Sequence, residues 1–233
     1  APGTGAASGA QRTATRVPYQ GELIFLADIF VATNIVGTHL KQAERIITMS
    51  TLATPQTTTT TWNIDPAHSM AEFKVKHMMI SNVKGQFPKV TGVLTLDESD
   101  LTNSRVEAVI ETASIETRDA QRDAHLKSPD FFHVEKFPSL SFKSTGVRLV
   151  RDGELAVEGN LTIRGVTRKA VFNVDGPTPP TKDPWGGTRV AVSATTKINR
   201  KDFGLIWNAA LETGGILVGD EVTITLDAEF LKA

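Results

Sequence analysis

The stretch ELAVEGNLTIRGVTRKAVFNV, Glu154 to Val174, reads as two strands and a turn. Leu155, Val157, Leu161 and Ile163 alternate with polar or small residues, and Ala170, Phe172 and Val174 repeat the pattern after the break. A period of two is that of a half-buried strand, whose successive side chains point to opposite faces. Between the runs, Arg164-Gly165 occupies the place where a tight hairpin needs residues that accept positive φ. The two strands are therefore expected to pair antiparallel.

The same alternation extends in both directions. In AEFKVKHMM (71–79) Phe73, Val75 and His77 share one face, while Glu72, Lys74 and Lys76 share the other. Similar runs occur at 94–96, 106–115, 140–149, 189–198 and 221–230, for about eight to ten strands in all. Asp152-Gly153 and the Gly pairs at 186–187 and 214–215 supply further turns. One segment has helical punctuation: Thr117 as cap, Asp119 in the first turn, Lys127 in the last and Pro129 beyond. One short helix cannot cover so long a sheet, and closing the sheet on itself removes its edges. The expected fold is all-β, an antiparallel barrel of about eight strands with one short helical flap, large enough for packed side chains or one small ligand.

Composition narrows the function. With 25 basic and 26 acidic side chains the formal charge is −1, without the basic excess that holds a phosphate backbone, so nucleic acid is not expected as a partner. The absence of cysteine removes thiolate metal sites and thiol nucleophiles. Residues 1–60 read as an N-terminal extension and Thr-rich linker, expected to be disordered, residues 1–20 being rich in Gly, Ala, Thr and Ser with almost no periodic apolar pattern, and residues 61–233 read as the barrel domain. LIFLADIFVATNIV (23–36) is the most apolar run, but Asp28 interrupts it and it is shorter than the roughly 20 residues a membrane span requires. It lacks the flanks of a signal peptide. Met49 as initiator would leave no leader, which favours the cytoplasm, with the periplasm as the alternative.

Seven segments resemble the YceI-like polyisoprenoid-binding family: WNIDPAHS (62–69), FKVKH (73–77), RDAHLKSPDFF (122–132), FPSLSFKS (137–144), LTIRGVTR (161–168), INRKDFGLIWN (198–208) and VGDEVTI (218–224). They follow the family order across nearly all of residues 62–232. The resemblance implies an extended lipocalin-like barrel that encloses an apolar chain, such as an isoprenoid quinone or prenyl phosphate, with its polar head near the mouth. It implies a binder rather than an enzyme, with no cofactor. The oligomeric state is left open, a homodimer included.

The charged stretch 118–142 is where the residues bear on function. Asp123 and His125 lie two apart, and on a helix such residues point about 200° away from each other, so they do not make an acid–base pair. No serine elbow, phosphate-cradling glycine loop or catalytic carboxylate pair stands out. An enzyme reading, a hydrolase or isomerase with His77 or His125 as general base, remains the alternative to a lipid binder. A third reading is a filled barrel with a structural or stress-related role. His68 and His77 lack metal-ligand spacing, so no metal is expected. The candidate cavity wall comprises Phe73, Val75, His77, Ile110, Phe131, Phe132, Phe142, Phe203 and Trp207. The candidate head-group rim comprises Arg118, Arg122, His125 and Lys127, whose cations would favour an anionic or carbonyl head; a solvated helix surface, with the arginines paired to Asp119 and Asp123, is the plainer reading. Asn199, Asp202 and Gly204 are expected to shape a turn. Ala108, Gly159, Ala194 and Ala228, small residues at inward positions, favour a hollow barrel.

Overall fold

A computed structural model describes residues 59–233, except 152 and 213. Readings of the chain before Thr59, including the apolar run and Met49, lie outside the described residues. In chain order the elements are β1 (Thr59–Ile64), β2 (Met70–His77), β3 (Ser81–Phe87), β4 (Val90–Asp97), β5 (Arg105–Glu111), α1 (Ala120–Lys127), β6 (Ser139–Arg151), β7 (Glu154–Ile163), β8 (Val166–Asp175), β9 (Thr181–Lys182), β10 (Thr188–Asn199) and β11 (Val218–Lys232).

Eight strands close a ring in the order β1-β4-β5-β6-β7-β8-β10-β11, because β11 pairs with β10 on one side and with β1 on the other. Every pairing is antiparallel. Among the described residues, the expected antiparallel barrel with one short helix is thus the observed architecture. β2 takes over from β1 along the upper half of β11, and with β3 it prolongs the wall as a hairpin at one end. The turn at Arg164-Gly165 forms as expected, with φ of 51° and 74°.

Several boundaries differ from expectation. Thr59 and Thr60, counted with the linker, already pair with Asp97 and Leu96. The run at 106–115 stops being strand at Glu111 and becomes a 3-10 turn over Thr112–Ser114. The helix cap is Asp119, whose carboxylate accepts the backbone N–H groups of Gln121 and Arg122, rather than Thr117. Thr117 Oγ1 instead donates to Asp123 and accepts from Arg122 Nε. Within the expected turn, Asn199 has φ of −92° and caps Arg200–Phe203 through its side chain, while Gly204 takes the positive φ.

Trp62, fully buried, anchors the core, its indole N–H donating to Thr60 Oγ1 at 2.7 Å and Lys232 Nζ lying 5.2 Å from its ring. Trp185, by contrast, is 84% exposed. Among the small inward residues, Ala108 and Ala194 face the barrel interior, whereas Gly159 has a packing role: a Cβ there would collide with the Phe142 ring and with the carbonyl of Lys143. Gly159→Ala should therefore destabilise the protein by about 1–3 kcal/mol through overpacking, read as a lower urea midpoint with an unchanged m-value.

Candidate functional site

The inward faces of the strands do not meet. They enclose an elongated cavity of about 600 Å³. Its wall carries alternate residues of successive strands: Phe73 and Val75 on β2, Leu94 and Leu96 on β4, Ala108 and Ile110 on β5, Leu155, Val157 and Leu161 on β7, Val192 and Ala194 on β10, and Ile224 and Leu226 on β11. Period-two patterning makes the strand-borne part of this surface predominantly apolar.

Polar wall residues gather at one end, where α1, the β2–β3 hairpin and the segment after Gly204 converge. Here His77, Gln121, Arg122, His125 and Arg200 border the cavity; Ser104 and Arg105 do so at the other end. Arg122 and His125 each keep 38% of their side-chain surface exposed, so the wall reaches solvent beside them and this end is the mouth.

Three arginines hold the mouth together. Arg122 donates to Thr117 Oγ1 and to the Thr117 carbonyl, both at 2.7 Å, and lies 3.9 Å from Asp119. Arg164, at the β7–β8 turn, donates to the carbonyls of Pro129 and Gly204, tying the helix exit to the opposite loop. Arg200 is buried, and its guanidinium donates to the carbonyls of Gly219, Leu205, Trp207 and Val218. Burial pushes its pKa down and the neighbouring Asp220 raises it; a guanidinium so placed remains charged.

An aromatic cluster lies just inside. His125 Nε2 meets Asp130 Oδ2 at 3.0 Å, and its ring stands edge-on to Phe131 and Trp207 with centroids 5.1 and 4.7 Å away. Phe132 packs edge-on against Phe87. Phe131 and Phe132 follow the Ser128-Pro129 corner, and the hydrogen bond from the Phe132 N–H to the Leu126 carbonyl turns them back under the helix. The partner of His125 is thus Asp130, five residues on, and not Asp123.

Eight of the nine expected wall residues border the cavity: Phe73, Val75, His77, Ile110, Phe131, Phe132, Phe142 and Trp207. Phe203 does not; it is 2% exposed and belongs to the packed core under the Arg200–Phe203 turn. Of the expected rim, Arg122 and His125 border the cavity, while Arg118, exposed with φ of 63°, and Lys127 do not. The difference is one of helical phase and position, since Arg118 precedes the helix altogether. His77, expected on the cavity wall, is half-buried at the mouth.

A second polar group has no counterpart in local sequence. Arg189 donates to Asp65, Asp183 and Glu229, and His68 Nδ1 lies 2.9 Å from Asp65. Arg189 and then His68 hold the Asp65 carboxyl far below its ordinary range. Asp65, His68 and Glu229 offer atoms within 4.8 Å of one another. Arg189 donates to both carboxylates, so the cluster serves as an ion-pair knot joining the β1–β2 corner to β10 and β11. Among the described residues no helix is long and apolar enough to cross a membrane.

Comparison with known proteins agrees with this architecture. The model of the YceI-like domain matches residues 62–230. A UPF0312 protein of Staphylococcus aureus is 38% identical over 172 residues, covering 73% of this chain and 97% of that protein. Among solved structures, the Campylobacter jejuni YCEI protein superposes with a TM-score of 0.58 at 27% identity, over 69% of this chain and 91% of that one. BcnA of Burkholderia cenocepacia superposes at 0.61 with 21% identity, over 71% and 98% of the two chains. A polyisoprenoid binding domain from Saccharophagus degradans gives 0.54 at 13% identity, over 74% and 98%. The last two likenesses are of fold.

Proposed function

The chain belongs to the YceI-like family, and from that premise we propose that it binds a long apolar ligand inside its barrel, to sequester or carry it. The observation that carries this reading is the elongated apolar cavity of about 600 Å³, a volume within the usual range of small-molecule sites. Burying a linear hydrocarbon there contributes about 0.8 kcal/mol per methylene before ordering costs are deducted. Shape favours a chain over a compact ring system. The ligand class is an isoprenoid quinone, a prenyl phosphate or a fatty-acid-like lipid, with its head beside Arg122 and His125. Phe73, Val75, His77, Ile110, Phe131, Phe132, Phe142 and Trp207 would contact the tail.

An enzyme reading has one observation in its favour, the His125–Asp130 pair at the mouth, in which the carboxylate orients the imidazole. A binder returns its ligand chemically unchanged, and an enzyme does not.

Trp207 provides a direct assay, because it borders the cavity while Trp62 is sealed in the core. Titration with an isoprenoid quinone should quench Trp207 fluorescence to saturation, and Trp207→Phe should remove that signal. Arg122→Ala should weaken a prenyl diphosphate by about tenfold, the loss of a charge-assisted contact worth about 1.4 kcal/mol, while a neutral quinone is little affected. Equal losses for both ligands would reject head-group recognition by Arg122.

A further inference from the structure

The turn joining β2 to β3 is built from residues that do not suit it. His77 to Ile80 form a tight hairpin turn closed by the Ile80 N–H on the His77 carbonyl at 3.2 Å. Its two central residues, Met78 and Met79, both have positive φ, 52° and 62°. Asn-Gly is the usual occupant of such a turn, since bulky side chains are strained in the left-handed region. The strain is not offset by burial: Met78 is 39% exposed, Met79 58% and Ile80 79%. Strained residues whose side chains face solvent point to a function for those side chains.

Position and charge specify that function. The Met78 N–H donates to the carbonyl of Leu217, a cavity-wall residue, so the tip is tied to the mouth. Ile206, 69% exposed, lies on the segment after Gly204 at the same end. Behind the tip the hairpin carries exposed Lys74, Lys76 and Lys84 against the single acid Glu72. Lys74 and Lys84 sit directly opposite each other across the strands, a repulsive pairing that an external anionic surface would relieve. At about 3.3 Å per residue, Lys76 and Lys74 stand roughly 7 and 13 Å behind Met78. An apolar tip followed by cations at that depth matches the order of acyl and headgroup layers at an anionic bilayer surface. Leu149 and Val150, also exposed and flanked by Arg148 and Arg151, lie on extended strand at the end opposite the mouth, without a strained apolar turn.

We propose that the β2–β3 tip docks the barrel mouth on a bilayer containing anionic lipid, so that ligand passes between membrane and cavity without crossing water. The direction of exchange rests on the ligand-binding reading; the docking itself does not. The test is co-sedimentation of the full chain with vesicles of phosphatidylcholine alone and of equal parts phosphatidylcholine and phosphatidylglycerol. Binding should be confined to the anionic vesicles and weaken with added salt. Met78→Asn with Met79→Gly and Ile80→Thr should reduce it by at least about tenfold. The same variant installs the preferred turn, so its thermal stability should hold or rise; a misfolded variant is thereby recognised. Lys74→Glu with Lys84→Glu should abolish the preference for anionic lipid by a separate route. Quinone uptake from solution, read by Trp207, should be unchanged in both. Failure of the wild-type protein to sediment with anionic vesicles, or undiminished sedimentation of both variants, would overturn the proposal. So would a dimer that the tip variant converts to monomer without any vesicle binding by the wild type, which would assign the tip to a second copy. Vesicle binding without quinone uptake would leave docking standing and reject the ligand-binding reading instead.

Discussion

Ala108→Phe combined with Ala194→Phe is expected to leave the barrel folded and to abolish uptake of apolar ligands. The two alanines lie on β5 and β10, four strands apart in a ring of eight, so the new rings enter the cavity from opposite walls. Large side chains introduced into a packed core normally cost about 1–3 kcal/mol, but here the added volume occupies space that the barrel leaves unfilled. Excluding about four methylenes of ligand removes roughly 3 kcal/mol of burial, a loss of at least about a hundredfold in affinity. Stability should be retained or increased. Undiminished quenching of Trp207 in this variant would place the ligand outside the barrel.

Arg200→Met is expected to produce the largest loss of stability among single changes at the mouth. The Arg200 side chain is 4% exposed, and its guanidinium serves carbonyls of Leu205, Trp207, Val218 and Gly219, which bracket the loop leading into β11. Methionine fills a similar volume but donates nothing, leaving buried carbonyls unpaired. Removing one partner of a buried, charged network costs about 3–5 kcal/mol. Lysine is a poor substitute, because one ammonium cannot span carbonyls that a planar fork reaches together. Urea denaturation should show the fall in stability, and limited proteolysis should cut the 204–217 segment first. A shift below about 1 kcal/mol would mean that this segment is held mainly by its apolar contacts.

Local patterning made most of the barrel legible. In β7 and β8 the period of two, with Arg164-Gly165 between them, carries strand, register and turn together, and every inward residue it names is buried. The same holds for β2, where Phe73 and Val75 reach the cavity. β3 was not legible, because SNVKGQF has little apolar alternation and owes its place to β2: Gly85 is small where the Phe73 ring lies against it. The end of β5 is not legible in the 106–115 run, because Thr112–Ser114 continues the composition of a strand while the chain turns.

The mouth was only half readable for a related reason. Phe131, Phe132 and Trp207 announce themselves as large apolar residues beside turn signals. Arg200 does not: nothing in INRKDFGLIWN distinguishes an arginine that clamps four carbonyls from one in water, since its acceptors arrive from β11 and its preceding loop. Likewise the Arg189 knot spans 124 residues to Asp65 and 40 to Glu229. The pairing of His125 with Asp130 depends on the corner at Ser128-Pro129, which bends the chain back by an amount that spacing alone does not give. The positions of Met78 and Met79 were visible; their backbone conformation was not.

The most direct test of a hollow carrier barrel is native mass spectrometry of the full chain purified without detergent, followed by organic extraction and identification of what is released. A hollow carrier barrel should show an added mass of one lipid per chain, recovered chemically unchanged and lost in the Ala108→Phe, Ala194→Phe variant. A mass equal to the polypeptide alone, together with no uptake of added isoprenoid quinone or prenyl phosphate, would contradict it.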